Sequence, residues 1–213
     1  SYIHRSRRPY SVEAFDHVLT TNFSYGQPWF VPGQGFLFLH TRYVKGLRNL
    51  FWMSSADGAQ WSEARRLAFI EMGDYQISWP REERIGTAFD FHPRPAGLNA
   101  RANLYYLETA DLGRTWRNVA GELVALPITN AANAALAYDS RREGRLVYLK
   151  DLNYDAQGRP VILFLTSQGF EPGPANGPRE WKTARWTGDA WDVRVVTTSG
   201  NNYDHGSLYL EPD

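Results

Sequence analysis

Tyrosine, histidine, asparagine and arginine gather in a few short stretches of this chain. Tyr25 stands in F-S-Y-G-Q, His40 and Arg42 in L-H-T-R, Tyr75 and Gln76 in G-D-Y-Q, and His92 and Arg94 in F-H-P-R. Arg101 follows in N-A-R-A-N, Tyr138 in L-A-Y-D, and Asn202, Tyr203, Asp204 and His205 form N-N-Y-D-H. These side chains share one use: rings stack on sugars, amides and phenols hydrogen-bond hydroxyls, and a guanidinium grips a carboxylate through two parallel N–H groups. Histidine and tyrosine add groups that can move a proton. Other chemistries have no local support. The chain has no G-x-S-x-G, no H-E-x-x-H and no phosphate-cradling G-x-x-x-x-G-K. A glycosidase needs two carboxyl groups across the scissile bond, for which Asp74 and Asp204 are weak candidates.

Composition narrows the frame. The 213 residues are 43% hydrophobic and 15% aromatic, enough to bury a sizeable core. Lys plus Arg equals Asp plus Glu at 23 each, so no overall field recruits nucleic acid, and any charge effect is local. No apolar run approaches the roughly 18 residues of a membrane helix, and no signal peptide is visible in the given sequence. Cysteine is absent, which removes disulfides, thiolate metal sites and cysteine nucleophiles. No motif requires a cofactor, while a structural calcium or other metal stays open. Twelve Pro, eighteen Gly and eight Trp fit short strands and turns better than helices.

The elements that must position these residues are set by a repeated turn. T-A-D-L-G-R-T-W at 109–116 combines Thr109, Asp111, Gly113 and Trp116; S-A-D-G-A-Q-W at 55–61 repeats Ser55, Asp57, Gly58 and Trp61 with a shorter tip. The carboxylate can accept from backbone N–H groups ahead of it, the glycine allows φ > 0, and the tryptophan folds back over the strands. Two such turns in β-rich sequence resemble the Asp-box, or bacterial neuraminidase repeat, of sialidase-like β-propellers. The resemblance implies that these eight residues are structural and lie opposite the active face.

Anchored on the boxes, the sequence predicts an all-β chain of four-stranded antiparallel blades: 20–72, 73–126 and 145–198, an insertion at 127–144 and the start of a further blade at 199–213. Val12–Leu19 reads as the last strand of an earlier blade, Arg117–Val124 as the fourth strand of the second, and Gly206–Leu210 as the first of another. Ile128–Gly144 does not read as a strand, and Asn133–Arg142 suits a short helix. Three blades fall short of the roughly four to eight that close a ring. The remaining blades are therefore expected from a longer chain or another copy.

The resemblance extends to F-S-Y-G-Q-P-W-F at 23–30, G-D-Y-Q-I-S-W at 73–79, D-A-Q-G-R-P-V-I-L-F at 155–164 and N-N-Y-D-H-G-S-L-Y at 201–209. These look like the propeller group of BNR-type proteins that includes ulvan-type polysaccharide lyases. That likeness implies a seven-bladed parent fold, a uronic-acid glycan as partner, β-elimination as the reaction, and an extracellular or periplasmic setting. It also implies His and Tyr as base and acid and an Arg or His that neutralises the uronate. His40 or His92 is then the base, Tyr75, Tyr138 or Tyr203 the acid, and Arg101 the clamp, with Arg42 and Arg94 as alternatives. Tyr25, Arg42, Gln76, Arg94, Asn202, Asp204 and His205 are expected to bind substrate. The competing expectation is a non-catalytic glycan-binding propeller, and a sialidase-like hydrolase comes last because Glu is scarce on that face.

Overall fold

Alternation along the strands dictates how the sheets stack. In the computed structural model, which describes residues 1–211, Leu37, Leu39 and Thr41 point to one face of their strand and Phe38 and His40 to the other. Fourteen strands result among the described residues, β1–β14. The first four-stranded sheet runs β3 (Ser24–Val31), β4 (Gly35–Val44), β5 (Leu47–Ser55), β6 (Arg65–Ala68). The second runs β7 (Gln76–Arg81), β8 (Arg84–Phe91), β9 (Ala102–Thr109), β10 (Leu136–Tyr138). The third runs β11 (Leu146–Tyr154), β12 (Pro160–Ser167), β13 (Arg179–Trp186), β14 (Trp191–Ser199). Every pairing between neighbours is antiparallel. These are three blades of a β-propeller.

Between the first and second blades, Leu37, Leu39, Leu50, Trp52, Phe89, Phe91, Leu107 and Trp116 form one apolar core. Between the second and third, Ala88, Leu104, Tyr106, Val147, Leu152, Ile162 and Phe164 form another. Each fully buried Leu or Phe there contributes roughly 1.5–3 kcal/mol.

The boxes are turns between third and fourth strands. Asp57 Oδ1 accepts from the backbone N–H of Ala59 at 2.8 Å and Gln60 at 2.9 Å, and Ser55 Oγ accepts from Gly58 N at 2.8 Å. In the second box Asp111 Oδ1 accepts from Thr115 N at 2.9 Å, Asp111 Oδ2 from the Thr115 hydroxyl at 2.7 Å, and Thr109 Oγ1 from Gly113 N at 2.9 Å. Trp116 is buried edge-on to Trp52, with centroids 5.6 Å apart. Gly113, at φ +84°, sits where an added Cβ would lie 2.1 Å from Trp52 Nε1, so any other residue there must displace the Trp52 ring.

Several strand expectations are corrected. Arg117–Val124 is not the fourth strand of the second blade. Arg117 exchanges two 2.9 Å backbone bonds with Glu108, after which the Asn118 side chain accepts from Ala120 N at 3.1 Å and Glu122 N at 2.9 Å and curls the chain. A side chain that satisfies the backbone locally competes with the ladder. The vacant β9 edge is taken instead by Leu136–Tyr138, inside the stretch expected to hold no strand. The helix expected at 133–142 reduces to a four-residue 3-10 turn, Ser140–Glu143, behind Asp139.

At the N-terminal end, β2 (Phe15–Thr20) pairs with β1 (Tyr2–Ser6) in a two-stranded hairpin; β1 was not foreseen. Gly206–Leu210 forms no strand. Leu208 is instead held by side chains of β11, its N–H donating to Asp151 Oδ2 at 2.7 Å and its carbonyl accepting from Asn153 Nδ2 at 3.4 Å.

Candidate active site

One end of the blades, opposite the boxes, collects the termini that carry chemistry. Tyr25 opens β3, Arg48 opens β5, Tyr75 immediately precedes β7, Asp90 and His92 flank the end of β8, and Arg101 immediately precedes β9. Tyr148 lies near the start of β11, and Tyr203 follows β14 in the crossing loop. Arg48 and Arg101 hold the same place in successive blades, the start of the third strand, and Arg179 holds it in the third. Arg179 is buried away from the other two, donating from Nη2 to the Glu171 carbonyl at 2.8 Å with Nε and Nη1 left without a protein partner.

The two remaining guanidiniums alternate with phenol rings. Arg48 lies 4.9 Å from the Tyr25 ring, 4.5 Å from Tyr43 and 5.2 Å from Tyr75. Arg101 lies 4.8 Å from both Tyr75 and Tyr148 and 5.8 Å from Tyr203. Cation–π contact holds each guanidinium in place without consuming its N–H donors. Arg48 donates from its two Nη groups to Ser24 Oγ at 2.6 Å, Thr41 Oγ1 at 2.9 Å and the Tyr43 hydroxyl, leaving Nε without a protein partner. Arg101 has no salt bridge within the described residues, and its buried Nε has no protein partner.

Beside Arg101 is a cavity of about 160 Å³ lined by Tyr25, Tyr75, Gln76, Ile77, Asp90, Arg101 and Leu149. The Tyr25 and Tyr75 rings meet edge-on at 5.1 Å. Burial and then the neighbouring Tyr25 push the Tyr75 phenol above its ordinary value, while Arg101 and Arg48 pull it back. Asp90 is buried; desolvation raises its carboxyl to about 7 against the opposing charge of Arg101, and its Oδ1 accepts from Tyr75 N at 3.0 Å. His92 stacks edge-on behind Tyr75 at 4.8 Å. Desolvation, then Arg101 and Arg48, lower it to about 3, so it is a neutral imidazole.

The structure brings together Tyr25, Tyr75, Gln76 and Arg101 at the cavity, while Tyr203 reaches the site only through its ring, 5.8 Å from the Arg101 guanidinium. Gln76 orients Tyr25 by donating to its carbonyl at 3.1 Å. His92 is adjacent but fully buried. His40 is elsewhere. It points to the sheet face opposite Thr41, stacked on Phe38 at 4.7 Å, with Nδ1 3.2 Å from the Phe38 carbonyl and desolvation lowering it to about 4. Arg42 shares that face, over Phe51 at 5.4 Å.

Tyr138 is also absent from the cavity: it lies between the second and third blades, its hydroxyl 2.5 Å from Glu143 Oε2. Arg94 is tied to Glu71, its backbone N–H donating to Oε2 at 2.6 Å and its guanidinium to the Glu71 carbonyl at 3.4 Å. Asn202 is buried and ties the crossing loop to Phe170 O at 3.1 Å. Asp204 receives the Ser199 hydroxyl, and its carbonyl accepts from Lys150 Nζ at 2.6 Å. Asp204 and His205 line a second, larger hollow of about 870 Å³ against Trp181 and β14. Arg48, Asp90 and Tyr148 were missed as candidates; for Arg48 the signal was its place in the blade, identical to that of Arg101.

With the geometry established, comparison with known proteins settles the family. The model of the BNR repeat-containing family matches residues 3–199. This chain belongs to that family. Among curated proteins, an ulvan lyase of Pseudoalteromonas sp. (strain PLSV) is 23% identical over 208 residues, covering 87% of this chain and 42% of the relative. Among solved structures, a polysaccharide lyase described as an ulvan lyase bound to -[GlcA(1-4)Rha3S]- superposes with a TM-score of 0.71 at 18% identity. That match covers 88% of this chain and 47% of the other. The polysaccharide lyase Uly1 superposes with a TM-score of 0.67 at 12% identity, over 92% and 44%. These likenesses show the fold, and this BNR-repeat chain spans less than half the length of the relatives it matches.

Proposed function

We propose that this BNR-repeat chain carries the substrate face of a polysaccharide lyase that cleaves a uronic-acid-containing glycan by β-elimination. The observation that carries this reading is Arg101: a guanidinium fixed between Tyr75 and Tyr148, lining a cavity, with no ion-pair partner within 4 Å among the described residues. A uronate carboxylate would supply that partner, and its neutralisation makes the C5 proton more acidic. The polysaccharide lyases that share the fold point the same way.

Tyr75 is then the proton-transfer residue. In a syn elimination its hydroxyl oxygen takes the C5 proton as its own proton passes to the departing C4 oxygen. The C4–O bond breaks, a C4=C5 double bond forms, and the phenol ends neutral. Burial opposes loss of the phenol proton, whereas Arg101 and Arg48 favour it and so ease the proton's departure in that exchange. Tyr25 and Tyr203 offer exposed rings on which sugars stack. No metal enters this scheme, and extracellular polysaccharide as substrate fits a protein that works outside the cytoplasm.

A second reading, a glycan-binding propeller without turnover, is favoured by the complete burial of His40 and His92, which leaves no histidine base at the cavity. Incubation with uronic polysaccharides separates the two: the lyase reading requires new ultraviolet absorbance from the conjugated double bond, and binding without it supports the second reading.

A further inference from the structure

The cavity is lined by one carboxyl group, which the proposed chemistry does not use. Asp90 lines the same hollow as Arg101, Tyr75 and Gln76, yet only 1% of its surface is exposed. One oxygen is tethered to Tyr75 N at 3.0 Å, and the other, Oδ2, has no protein partner. The backbone clamps this geometry from the other side, Asp90 N donating to Tyr75 O at 3.1 Å. Asp90 therefore cannot swing away: it is held on the wall of the hollow that Arg101 also lines, without forming an ion pair to that guanidinium.

We propose that Asp90 is a positioning residue of the Arg101 site, whose ionised carboxylate repels an incoming carboxylate in the hollow they share, so that capture of an anionic sugar takes up one proton at Asp90. This inference rests on the reading of Arg101 as a carboxylate clamp. It adds that the clamp is proton-linked and names the group responsible.

The groups facing Asp90 leave it as the one that titrates. From the approach to β7 come Asp74 and Tyr75. Asp74 is fully buried with neither oxygen partnered, and desolvation followed by the Asp90 charge raises it well above the carboxylate range, so it stays protonated. From the end of β8 comes His92, its Nε2 3.9 Å from Asp90 Oδ1, which burial keeps neutral. From the start of β9 comes Arg101, the main charge that favours ionised Asp90. Arg48 of β5 and Tyr25 of β3 reach Tyr75. From β11, Leu149 closes the hollow without charge, and Lys150 bears on Arg101.

The sign follows. In the free site Asp90 titrates near 7, held down by Arg101. A bound carboxylate neutralises Arg101 and raises Asp90 further, so between the free and bound values each binding event takes up a proton. Affinity is full below about pH 7 and falls above it, by up to about tenfold per pH unit within the window.

The test uses methyl glucuronide, which has the carboxylate but no sugar at C4 to expel. Calorimetry of the intact protein near pH 7.5, in buffers of different ionisation enthalpy, is expected to show uptake of up to one proton. Asp90→Asn is expected to bind with a flat pH profile at the low-pH affinity of the wild type. Binding with no proton uptake, or an Asp90→Asn variant that keeps the pH slope, overturns the inference while leaving the clamp intact. If the variant fails to fold, the wild-type proton count decides alone. Absence of binding to wild type at every pH overturns the clamp and this inference together, whereas proton-linked binding with no cleavage of longer glycans overturns only the lyase reading.

Discussion

The guanidinium of Arg101 lies 4.8 Å from the ring of Tyr75, placing the cation and the proton-transfer group of the proposed site on one rigid contact between the starts of two strands. A carboxylate seated on Arg101 is thereby held next to the Tyr75 phenol. Removing the cation should abolish chemistry more than fold. Arg101→Ala is expected to lower turnover of uronic glycans by a factor of about 100 or more. Arg101→Lys should recover only part of it, because an ammonium keeps the charge and loses the planar fork. Steady-state kinetics on the two variants checks this.

Asp111 should matter to stability and not to the site. Burial opposes its ionisation, but hydrogen bonds from Thr115 and Thr109 hold its carboxyl below the usual range. Asp111→Ala is expected to cost about 1–3 kcal/mol in denaturant unfolding with ligand affinity unchanged. Since the folded value is depressed, this contribution is present above the unfolded value, about 4, and fades as pH falls through the folded one.

The two glycines Gly113 and Gly121 separate strain from collision. Both have positive φ, +84° and +83°, but a Cβ at Gly113 meets Trp52 whereas at Gly121 it meets nothing within 4 Å. Alanine at either position adds backbone strain of about 1 kcal/mol. Gly113→Ala should lose about 1–3 kcal/mol more through displaced core packing, measured as the difference in unfolding free energy.

His40 is expected to behave as a core residue. Its folded value is lowered to about 4 by desolvation. The unfolded chain therefore binds the extra proton first, and stability falls as pH drops from about 6.5 toward 4. A His40→Phe variant should flatten that part of the pH–stability curve and leave turnover intact; a loss of turnover in a folded variant would return His40 to the site.

Legibility in the sequence followed the range of the interactions. The boxes were readable because Thr109, Asp111, Gly113 and Thr115 satisfy one another within seven residues. Tyr25, Tyr75, Gln76 and Arg101 were readable because strand direction alone assigns them to one end. His40 follows the alternation of its strand and packs on the Phe38 face, whereas its neighbour Thr41 faces Arg48, because a single step along a strand reverses the face. β10 was hidden because its edge is reached after a long excursion that Asn118 starts by a local turn. Asp90 was invisible because a carboxyl between Phe89 and Phe91 reads as a break in a core strand; only the fold shows the cavity beside it.

The central claim is that Tyr75 moves the proton while Arg101 holds the carboxylate. Its most direct test is the ultraviolet absorbance of the unsaturated product when the intact protein and its Tyr75→Phe variant are incubated with a uronic polysaccharide. The account predicts product from the wild type, a rate about 100-fold or more lower for Tyr75→Phe, and glycan affinity within a few-fold for both. Unsaturated product formed at the wild-type rate by a folded Tyr75→Phe protein, or glycan binding by the wild type with no product at all, would contradict it.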